Sequence, residues 1–374
     1  MAKLITLDDV DDLAIGSAFL GTGGGGDPYI GSLLCKEAIA THGPVRLISL
    51  DELDDDDNVF IAAAIGAPTV MIEKLFAVED AHRAVSALET RLGRTATAII
   101  SAEIGGLNSV MPVAYAAMRG LPLVDADGMG RAFPSLNMTT LNVYGVSCTP
   151  MSIADEHGNV AFFETRDAKT AEDFARPLVA AMGASASLSC YPMTGAQAKC
   201  AALPGTMSSA LTIGAAIRGG DRRIAPVDRL MAALRSLPYY GHAYRIFDGK
   251  IIDLSRDNAR GWVFGRCTIQ ALEGDSRAEI GFQNENIAVR VNGVLKCIVP
   301  DLVCIVDRET AQPIPTESLR YGQRVAVIGC SASPRLRTPE ALACMGPRAF
   351  AETVDYVEIE QLNPAASLTK GLPA

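Results

Sequence analysis

The chain has 374 residues, a formal net charge of −10 and a sequence pI near 5.0. Nothing in this acidic composition supplies a basic face, so nucleic acid and anionic membranes are excluded as expected partners. Hydrophobic residues make up 49% of the chain and charged residues only 20%, with a mean hydropathy of +0.20. We therefore expect two well-packed domains in a subunit that forms a homo-oligomer.

The amino terminus and the cysteines indicate a cytoplasmic protein. Residues 1–9 contain one lysine and no apolar core before the first acids, so we expect no signal peptide. No window approaches eighteen uninterrupted apolar residues, so we expect no membrane span. The nine cysteines are scattered without a Cys-x-x-Cys pair, which fits reduced thiols.

The first half of the chain alternates between helices and short apolar strands. Asp8 and Asp9 are interpreted as caps of a helix that ends in the glycine loop at 21–26. Strands are predicted at Val59–Ile65, Ala96–Ser101 and Leu121–Val124, helices near 73–92 and 109–119, a β-rich stretch at Val143–Thr165, and further helices near 170–183, 206–218 and 227–236. This order predicts an α/β fold with a largely parallel sheet.

After Pro238 the pattern changes to short alternating segments separated by turn residues. The dipeptide Asn292-Gly293 is the turn signal of a two-residue β-hairpin. We predict an α/β/α domain at 1–238, in which 166–238 is alternatively a helical connector, and an all-β, barrel-like domain at 239–361. A tail at 362–374 is expected to fray or to lie on a neighbour.

The first candidate site is the loop Gly21-Thr-Gly-Gly-Gly-Gly-Asp-Pro28. Pro28 suits the first turn of a helix and Asp27 suits its cap, so the loop ends at a helix amino terminus that favours an anion. A helix precedes the loop, which argues against an NAD fingerprint, and no Gly-Lys-Ser/Thr follows, which excludes a P-loop nucleotide site. The expected anion donors are the N–H groups of Gly23, Gly24, Gly25 and Gly26. A tight turn between two helices is the alternative.

Acids follow two of the predicted strands. Asp125 and Asp127 are two residues apart, so regular strand geometry places both carboxylates on one face. Arg131, beyond two glycines, offers a rigid fork of donors for an anion.

Glu103 follows the preceding strand, and Asn108 is expected to cap the next helix and to contact the ligand. Together with Asp125 and Asp127, Glu103 would either bind a divalent metal or separate into acid and base. Alternatively, Glu103 is only a cap or a partner of Arg131.

The other polar motifs are weaker. Thr194, in Tyr191-Pro-Met-Thr-Gly195, is a candidate substrate contact, and the alternative for this polar region is ordinary helix capping by Thr206. The four histidines have no metal-ligand spacing, and no nucleophile motif is present. Glu285, between two asparagines, is interpreted as part of an amide-rich turn.

Several motifs together resemble the S-methyl thiohydantoin desulfurase-like family, which is associated with hydantoin-utilisation enzymes. They are Gly-Thr-Gly-Gly-Gly-Gly-Asp-Pro at 21–28, Glu-Ile-Gly-Gly-Leu-Asn at 103–108, Asp-Ala-Asp-Gly-Met-Gly-Arg-Ala-Phe-Pro at 125–134, Pro-Met-Thr-Gly at 192–195 and Phe-Gln-Asn-Glu-Asn at 282–286. The resemblance implies an α/β/α domain followed by a β-barrel domain. The chain departs from the family pattern in two respects. Ser135 stands where an acid usually follows Phe-Pro, and Gly-Pro-Arg at 346–348 leads into Ala-Phe-Ala where the family has a glycine-containing run.

The resemblance implies a hydrolase that replaces a sulfur substituent on a hydantoin-like ring by water. Such a reaction needs a base, an acid for the departing thiol, and donors for the developing charge. We assign Asp125 or Asp127 as the base and Glu103 as the proton donor or a metal ligand, with Gly23–Gly26 and Arg131 binding the anion. The alternative is a non-catalytic, ligand- or nucleotide-binding partner subunit of a hydantoinase or oxoprolinase-type complex.

Overall fold

The computed structural model describes residues 3–26, 28–66, 70, 77–221, 223–259 and 262–364. The strands are β1 (Lys3–Ile5), β2 (Val45–Ile48), β3 (Asn58–Ile61), β4 (Ala63–Gly66), β5 (Ala98–Ser101), β6 (Leu123–Asp127), β7 (Met151–Ala154), β8 (Val160–Phe163), β9 (Ser185–Ser189), β10 (Met193–Thr194), β11 (Leu203–Pro204), β12 (Ala243–Ala259), β13 (Trp262–Ala271), β14 (Arg277–Gln283), β15 (Glu285–Val291), β16 (Val294–Ile298), β17 (Leu302–Asp307) and β18 (Arg324–Cys330). The helices are α1 (Leu7–Leu20), α2 (Pro28–His42), α3 (Val78–Leu92), α4 (Leu107–Arg119), α5 (Thr140–Val143), α6 (Ala168–Ala181), α7 (Gly195–Ala201), α8 (Thr206–Arg218), α9 (Pro226–Ser236), α10 (Pro339–Met345) and α11 (Ile359–Leu362).

The first sheet has seven strands with a parallel centre. Its order is β1-β2-β6-β5-β3-β10, and β11 pairs with β6 beside this path. The neighbours β2, β6, β5 and β3 run parallel, whereas β1, β10 and β11 pair antiparallel. Parallel neighbours need crossover connections, and α3 lies between β3 and β5 and α4 between β5 and β6 along the chain. The predicted α/β fold with a largely parallel sheet is confirmed.

The predicted strand Val59–Ile65 is divided between two sheets. β3 pairs with β5 in the first sheet, and β4 pairs with β9 in a four-stranded antiparallel sheet of order β4-β9-β7-β8. Ala62 lies between them, and all seven residues from Val59 to Ile65 are buried. The prediction of one strand was wrong because a uniformly apolar run gives no sign of where the chain changes sheets.

The predicted caps of α1 are corrected by the structure. Thr6 is the N-cap, and the Asp9 carboxylate accepts hydrogen bonds from the Thr6 N–H at 2.8 Å and from the Thr6 hydroxyl at 2.7 Å. Asp9, the third residue of α1, thus forms a capping box with Thr6, and Asp8 lies inside the first turn. The cap predicted at Asp27 and the helix start predicted at 73–76 lie outside the described residues.

The third sheet is antiparallel throughout and has the order β16-β15-β14-β13-β12-β18-β17. It curls into a half-barrel, which agrees with the barrel-like domain predicted for this part of the chain. Asn292 and Gly293 both have positive φ angles, 49° and 81°, between the paired residues Val291 and Val294. This confirms the predicted two-residue hairpin, since both central positions of such a turn need a positive φ.

A continuous apolar core joins the two halves of the chain, which are the amino-terminal half up to residue 238 and the carboxy-terminal half from residue 239. Phe19 of α1 belongs to the same buried cluster as Ala288 of β15 and Leu302 of β17. The segment 166–238 also contributes β9, β10 and β11 to the first two sheets. No helix among the described residues is long and apolar enough to span a membrane. The two halves of the chain therefore share one apolar core.

Candidate active site

One pocket lies where the two halves of the chain meet. Its walls come from the glycine loop, from the segments after β3, β5 and β6, from α6, and from the turn between β14 and β15. Its polar lining is Glu103, Asn108, Ser135, Arg176, Asn284 and Glu285. Apolar walls are formed by residues that include Ala63, Ile65, Met129, Phe133, Leu136 and Leu188. Two segments predicted to form the site, the glycine loop and the Glu103 segment, meet in this pocket.

The first part of the glycine loop joins the two halves of the chain. The carbonyl oxygens of Thr22 and Gly23 accept hydrogen bonds from the N–H groups of Asn286 and Thr316, both at 2.8 Å. A Cβ atom on Gly24 would lie 2.1 Å from Oε1 of Glu285, so only glycine fits there. Gly23 and Gly24, predicted to bind an anion, therefore contact the carboxy-terminal half of the chain.

The second part of the loop reaches the pocket. Gly25 and Gly26 line it, and the Gly25 carbonyl accepts a hydrogen bond from the Leu107 N–H at 2.9 Å. A Cβ atom on Gly106 would lie 2.1 Å from this carbonyl oxygen, so the loops at 21–26 and 103–106 touch through glycine. The N–H groups of Gly25 and Gly26 form no hydrogen bond within the described part of the chain. They are the backbone donors that this wall has available for a ligand.

Glu103 is a buried acid in the pocket wall. Its Oε1 accepts a hydrogen bond from Nδ2 of Asn108 at 2.8 Å, and its buried Oε2 has no partner among the described residues. Burial raises the pKa of Glu103 to about 7, the negative charge of Asp127 adds to the rise, and the Asn108 amide opposes it. A carboxyl group with this pKa can exchange protons near neutral pH.

Asn108 holds Glu103 in place and is not the helix cap that was predicted. Gly106 is the N-cap of α4, and Asn108 lies in the first turn. The Asn108 side chain accepts a hydrogen bond from the Ala64 N–H at 2.7 Å and donates to the Ala64 carbonyl at 3.1 Å. It thereby ties α4 to the edge of β4 while its Nδ2 also contacts Glu103.

A second buried acid, Glu285, comes from the carboxy-terminal half. Asn284 has a φ of 55°, and its side-chain carbonyl accepts a hydrogen bond from the Val263 N–H at 2.9 Å, so the turn before β15 is fixed. Burial raises the pKa of Glu285 to about 8, the charge of Glu103 raises it further, and Arg131 opposes the rise. Sequence reasoning missed this acid because an amide-rich turn explained its neighbours, and the acid it meets is distant in the chain.

Arg176 is the cation in the pocket lining. Its Nη2 donates to the Pro134 carbonyl at 2.7 Å, and its Nε pairs with the buried carboxylate of Glu172. Trp262 Nε1 donates to the same carbonyl at 3.2 Å, and the Arg176 guanidinium lies 5.7 Å from the Trp262 ring centroid. Both halves of the chain thus hold the wall segment that contains Ser135. Sequence reasoning missed these contacts because bonds to a backbone carbonyl leave no motif.

Asp125 does not line this pocket. Its carboxylate accepts hydrogen bonds from the N–H of Ser208, at 2.9 Å, and from the Ser208 hydroxyl, so it caps the start of α8. It faces a separate groove together with Tyr239 and Arg335. The predicted three-acid site required Asp125 and Glu103 to lie together, but the structure places them in different pockets.

Asp127 is fully buried behind the pocket wall. Its Oδ2 accepts hydrogen bonds from the N–H groups of Ile104 at 2.8 Å, Met129 at 3.0 Å and Gly130 at 2.8 Å. Burial raises its pKa to about 7, and these N–H groups oppose the rise. Asp127 is near Glu103 but outside the pocket lining, so the base predicted at Asp125 or Asp127 would lie beside the pocket and not in it.

Two family models together match nearly the whole chain. The S-Me-THD-like N-terminal domain matches residues 8–165, and the S-Me-THD-like C-terminal domain matches residues 166–359. The chain belongs to the S-Me-THD-like family. This confirms the resemblance to the S-methyl thiohydantoin desulfurase-like family that the glycine-rich and acidic motifs indicated.

A solved structure has the same fold as this S-Me-THD-like protein. A protein from Chromobacterium violaceum, determined by X-ray crystallography, superposes with a TM-score of 0.80 at 24% sequence identity. The match covers 96% of this chain and 100% of the other. At this identity the likeness shows the fold alone. No match was found among curated proteins.

Arg131 does not act as the predicted anion clamp in this S-Me-THD-like fold. It is fully buried, and its guanidinium donates to the carbonyl oxygens of Ala132, Pro300, Asp301 and Asn286 and to the Thr22 hydroxyl. These contacts occupy all three guanidinium nitrogens. Arg131 therefore joins the two halves of the chain and has no donor left for a ligand.

Thr194 lies outside the pocket lining and caps a helix. Its hydroxyl oxygen accepts a hydrogen bond from the Gln197 N–H at 3.2 Å, and Gln197 completes a capping box at the start of α7. The predicted substrate contact at Thr194 is therefore replaced by a capping role. The alternative, a cap at Thr206, was also wrong, because Gly205 is the N-cap of α8 and Thr206 is its first residue.

The metal site considered for Glu103, Asp125 and Asp127 is not formed. Among the described residues, no group of three or more His, Cys, Asp or Glu side chains is placed to hold a metal ion. Glu103 instead shares its pocket with Glu285. Separation into a proton donor and a proton acceptor is thus the alternative that this geometry favours, with Glu285 as the second acid.

Proposed function

We propose that this protein hydrolyses S-substituted thiohydantoins and replaces the sulfur substituent by oxygen from water. The observation that carries the proposal is the pair Glu103 and Glu285, two buried carboxyl groups in one pocket with pKa values raised to about 7 and about 8. Such a pair can supply a base and an acid at neutral pH. The family name supplies the class of substrate.

The two acids have different surroundings, and this assigns their roles. Glu103 has the lower pKa, and Asn108 donates a hydrogen bond that stabilises its ionised form. Glu285 keeps its proton to higher pH because burial disfavours its charged form and the charge of Glu103 opposes its ionisation further. Glu103 is therefore the general base, and Glu285 is the general acid.

The reaction begins when Glu103 removes a proton from water and the water oxygen bonds to the ring carbon that carries sulfur. The electron pair of the carbon–nitrogen double bond moves to the ring nitrogen, which receives the proton that Glu103 took. The carbon–sulfur bond then breaks, Glu285 gives its proton to the departing sulfur, and the hydroxyl proton restores the protonated acid. The products are a hydantoin and a free thiol, and both acids return to their starting states.

The remaining pocket groups bind and orient the ring. The N–H groups of Gly25 and Gly26 supply donors for negative charge on a ring nitrogen or oxygen. Phe133 offers an aromatic wall for a flat ring, and Met129 and Leu188 offer apolar surface for an S-alkyl group.

The test is turnover of an S-methyl thiohydantoin in ¹⁸O-labelled water. The expected products are free thiol, detected with a thiol reagent, and a hydantoin that carries one ¹⁸O atom by mass spectrometry. Glu103→Gln and Glu285→Gln should each lower kcat by roughly 10²- to 10⁴-fold. Glu279→Gln, an exposed change on β14, is the matched control and should leave kcat unchanged. Absence of thiol release by the unmodified protein, or full activity of both pocket variants, would overturn the proposal.

A further inference from the structure

Asp127 connects two parts of the pocket wall through a single oxygen atom. Oδ2 binds the N–H of Ile104, which directly follows Glu103, and the N–H of Met129, which lines the pocket. The third N–H, from Gly130, fixes the turn that leads to Phe133 and Ser135. One carboxylate oxygen of Asp127 thus fixes the backbone next to Glu103 and the backbone of the pocket wall at Met129.

The other oxygen of Asp127 is not used in the same way. Oδ1 is buried and has no hydrogen-bond partner in the described part of the chain. The Thr206 hydroxyl at the start of α8 lies close enough to lower the pKa of Asp127, yet it completes no hydrogen bond and is itself buried. A carboxylate that served only to brace the backbone would usually have partners for both oxygens.

We propose that Asp127 is a positioning residue for the reaction, which holds Glu103 in place and controls its ionisation through their mutual repulsion. The inference rests on the proposed function in one respect, that Glu103 is the base. Both carboxyl groups are buried, and the charge of Asp127 raises the pKa of Glu103, so the two groups do not ionise independently.

The charged groups around this pair come from several elements. Glu103 is influenced by Asp127 on β6 and by Arg176 on α6, and it acts in turn on Glu285 at β15. Asp127 also acts on Tyr239 and Tyr240, whose own pKa values are raised, so both phenols are neutral in the range where the acids titrate. Asp127 is therefore the anionic group that raises the pKa of the base.

The test is the variant Asp127→Asn, because the amide keeps a carbonyl oxygen for the three N–H groups while removing the charge. We expect the acid limb of the kcat/KM profile to move to lower pH by about half a pH unit or more, with kcat at the optimum kept within a few-fold. Asp127→Ala removes the acceptor as well and should lower kcat with little change in KM. Asp173→Asn, an exposed change on α6, should move neither limb.

A second readout does not depend on turnover. In protein labelled with ¹³C-glutamate, the Glu103 carboxyl resonance is identified by its loss in Glu103→Gln and is titrated without substrate. A lower Glu103 pKa in Asp127→Asn supports the inference even if the protein turns over no thiohydantoin, in which case the proposed function alone fails. An unchanged Glu103 pKa, or an equal shift in Asp173→Asn, overturns it.

Thr206→Val provides a second variant if Asp127→Asn does not fold. Thr206 lowers the pKa of Asp127, so its removal should keep Asp127 neutral to higher pH and shift the Glu103 titration in the same direction by a smaller amount. A Glu103 pKa that stays fixed in Thr206→Val would also contradict the inference.

Discussion

Glu103 and Glu285 line one buried pocket, although one follows β5 and the other begins β15. Burial raises the pKa of both groups, and the charge of Glu103 raises the pKa of Glu285 further. Because the two groups interact, their protons leave in two steps that belong to the pair. This relationship predicts the pH range in which the protein should work and a pH-dependent contribution of Glu285 to its stability.

The first prediction is a narrow bell-shaped dependence of kcat/KM on pH. Glu103 must be ionised to act as a base, so activity should rise as pH passes about 7, and Glu285 must be protonated to act as an acid, so activity should fall as pH passes about 8. Initial rates of thiol release between pH 5 and pH 10, in buffers of constant ionic strength, measure both limbs. A rate that is flat across this range would show that the pair does not carry the chemistry.

The second prediction concerns stability. The folded-state pKa of Glu285, about 8, is above its ordinary value of 4.5, so the folded state binds this proton more tightly than the unfolded state does. The stabilisation is present at pH 4.5 and is lost as pH rises to about 8. Glu285→Gln cannot ionise, so it should be more stable than the unmodified protein at pH 9 by on the order of 3 kcal/mol.

Urea unfolding at pH 5 and pH 9 tests this second prediction. The difference in the free energy of unfolding between Glu285→Gln and the unmodified protein should be small at pH 5, where both side chains are neutral in the folded state, and large at pH 9. Glu279→Gln, which is exposed, should show no such dependence. An equal difference at the two pH values would mean that Glu285 ionises normally in the folded protein.

The candidate site could be predicted from the sequence only where local geometry decides the outcome. The glycine loop directly follows α1 and the Glu103 segment directly follows β5, and the two meet as predicted through the contact of Gly25 with Gly106 and Leu107. Glu285 could not be predicted, since its place depends on how the half-barrel packs against the first half of the chain. No local pattern reports that packing.

The role of Arg131 could not be predicted from the sequence either. The sequence places a guanidinium after the acidic strand, but its partners are the Thr22 hydroxyl and mostly backbone carbonyl groups, among them those of Asn286 and Asp301. Backbone carbonyls carry no sequence signature, so an arginine that binds them looks the same as one that binds a ligand. The fold class was predictable because it depends on periodicity, which is local.

The third prediction follows from the contact between Gly24 and Glu285. In Gly24→Ala the new Cβ would lie 2.1 Å from Oε1 and 2.6 Å from Cδ of Glu285, so the acid must move. We expect kcat to fall by about 10- to 100-fold, because small displacements of a catalytic group have effects of that size. Gly281→Ala, where the added atom meets nothing within 4 Å, is the control and should keep normal kcat. Equal activity of the two variants would contradict the position of Glu285.

The fourth prediction is that Arg131 stabilises the contact between the two halves. Arg131→Met leaves several buried carbonyl groups without a donor, among them those of Asp301 and Asn286, and should lower the free energy of unfolding by about 3 kcal/mol or more. Arg348→Lys, at an exposed ion pair with Asp355, should change it by less than about 1 kcal/mol. Urea unfolding followed by circular dichroism measures both, and similar losses in the two variants would argue against this role.

The fifth prediction uses the single tryptophan of the chain. Trp262 and Arg176 both hold the Pro134 carbonyl, and the next residue, Ser135, lines the pocket. A ligand that enters the pocket contacts this segment and should change the surroundings of the indole ring. Titration with an S-methyl thiohydantoin should therefore change the intrinsic fluorescence in a saturable way.

The matched variant for the fluorescence experiment is Arg176→Gln, which removes the guanidinium that lies 5.7 Å from the indole ring centroid. We expect this variant to have an altered emission before any ligand is added and a smaller change on titration, since a link between pocket and ring is lost. Trp262→Phe should abolish the signal while ligand still raises the melting temperature. If ligand raises the melting temperature of the unmodified protein but leaves its fluorescence unchanged, the ligand does not bind against the Pro134–Ser135 wall.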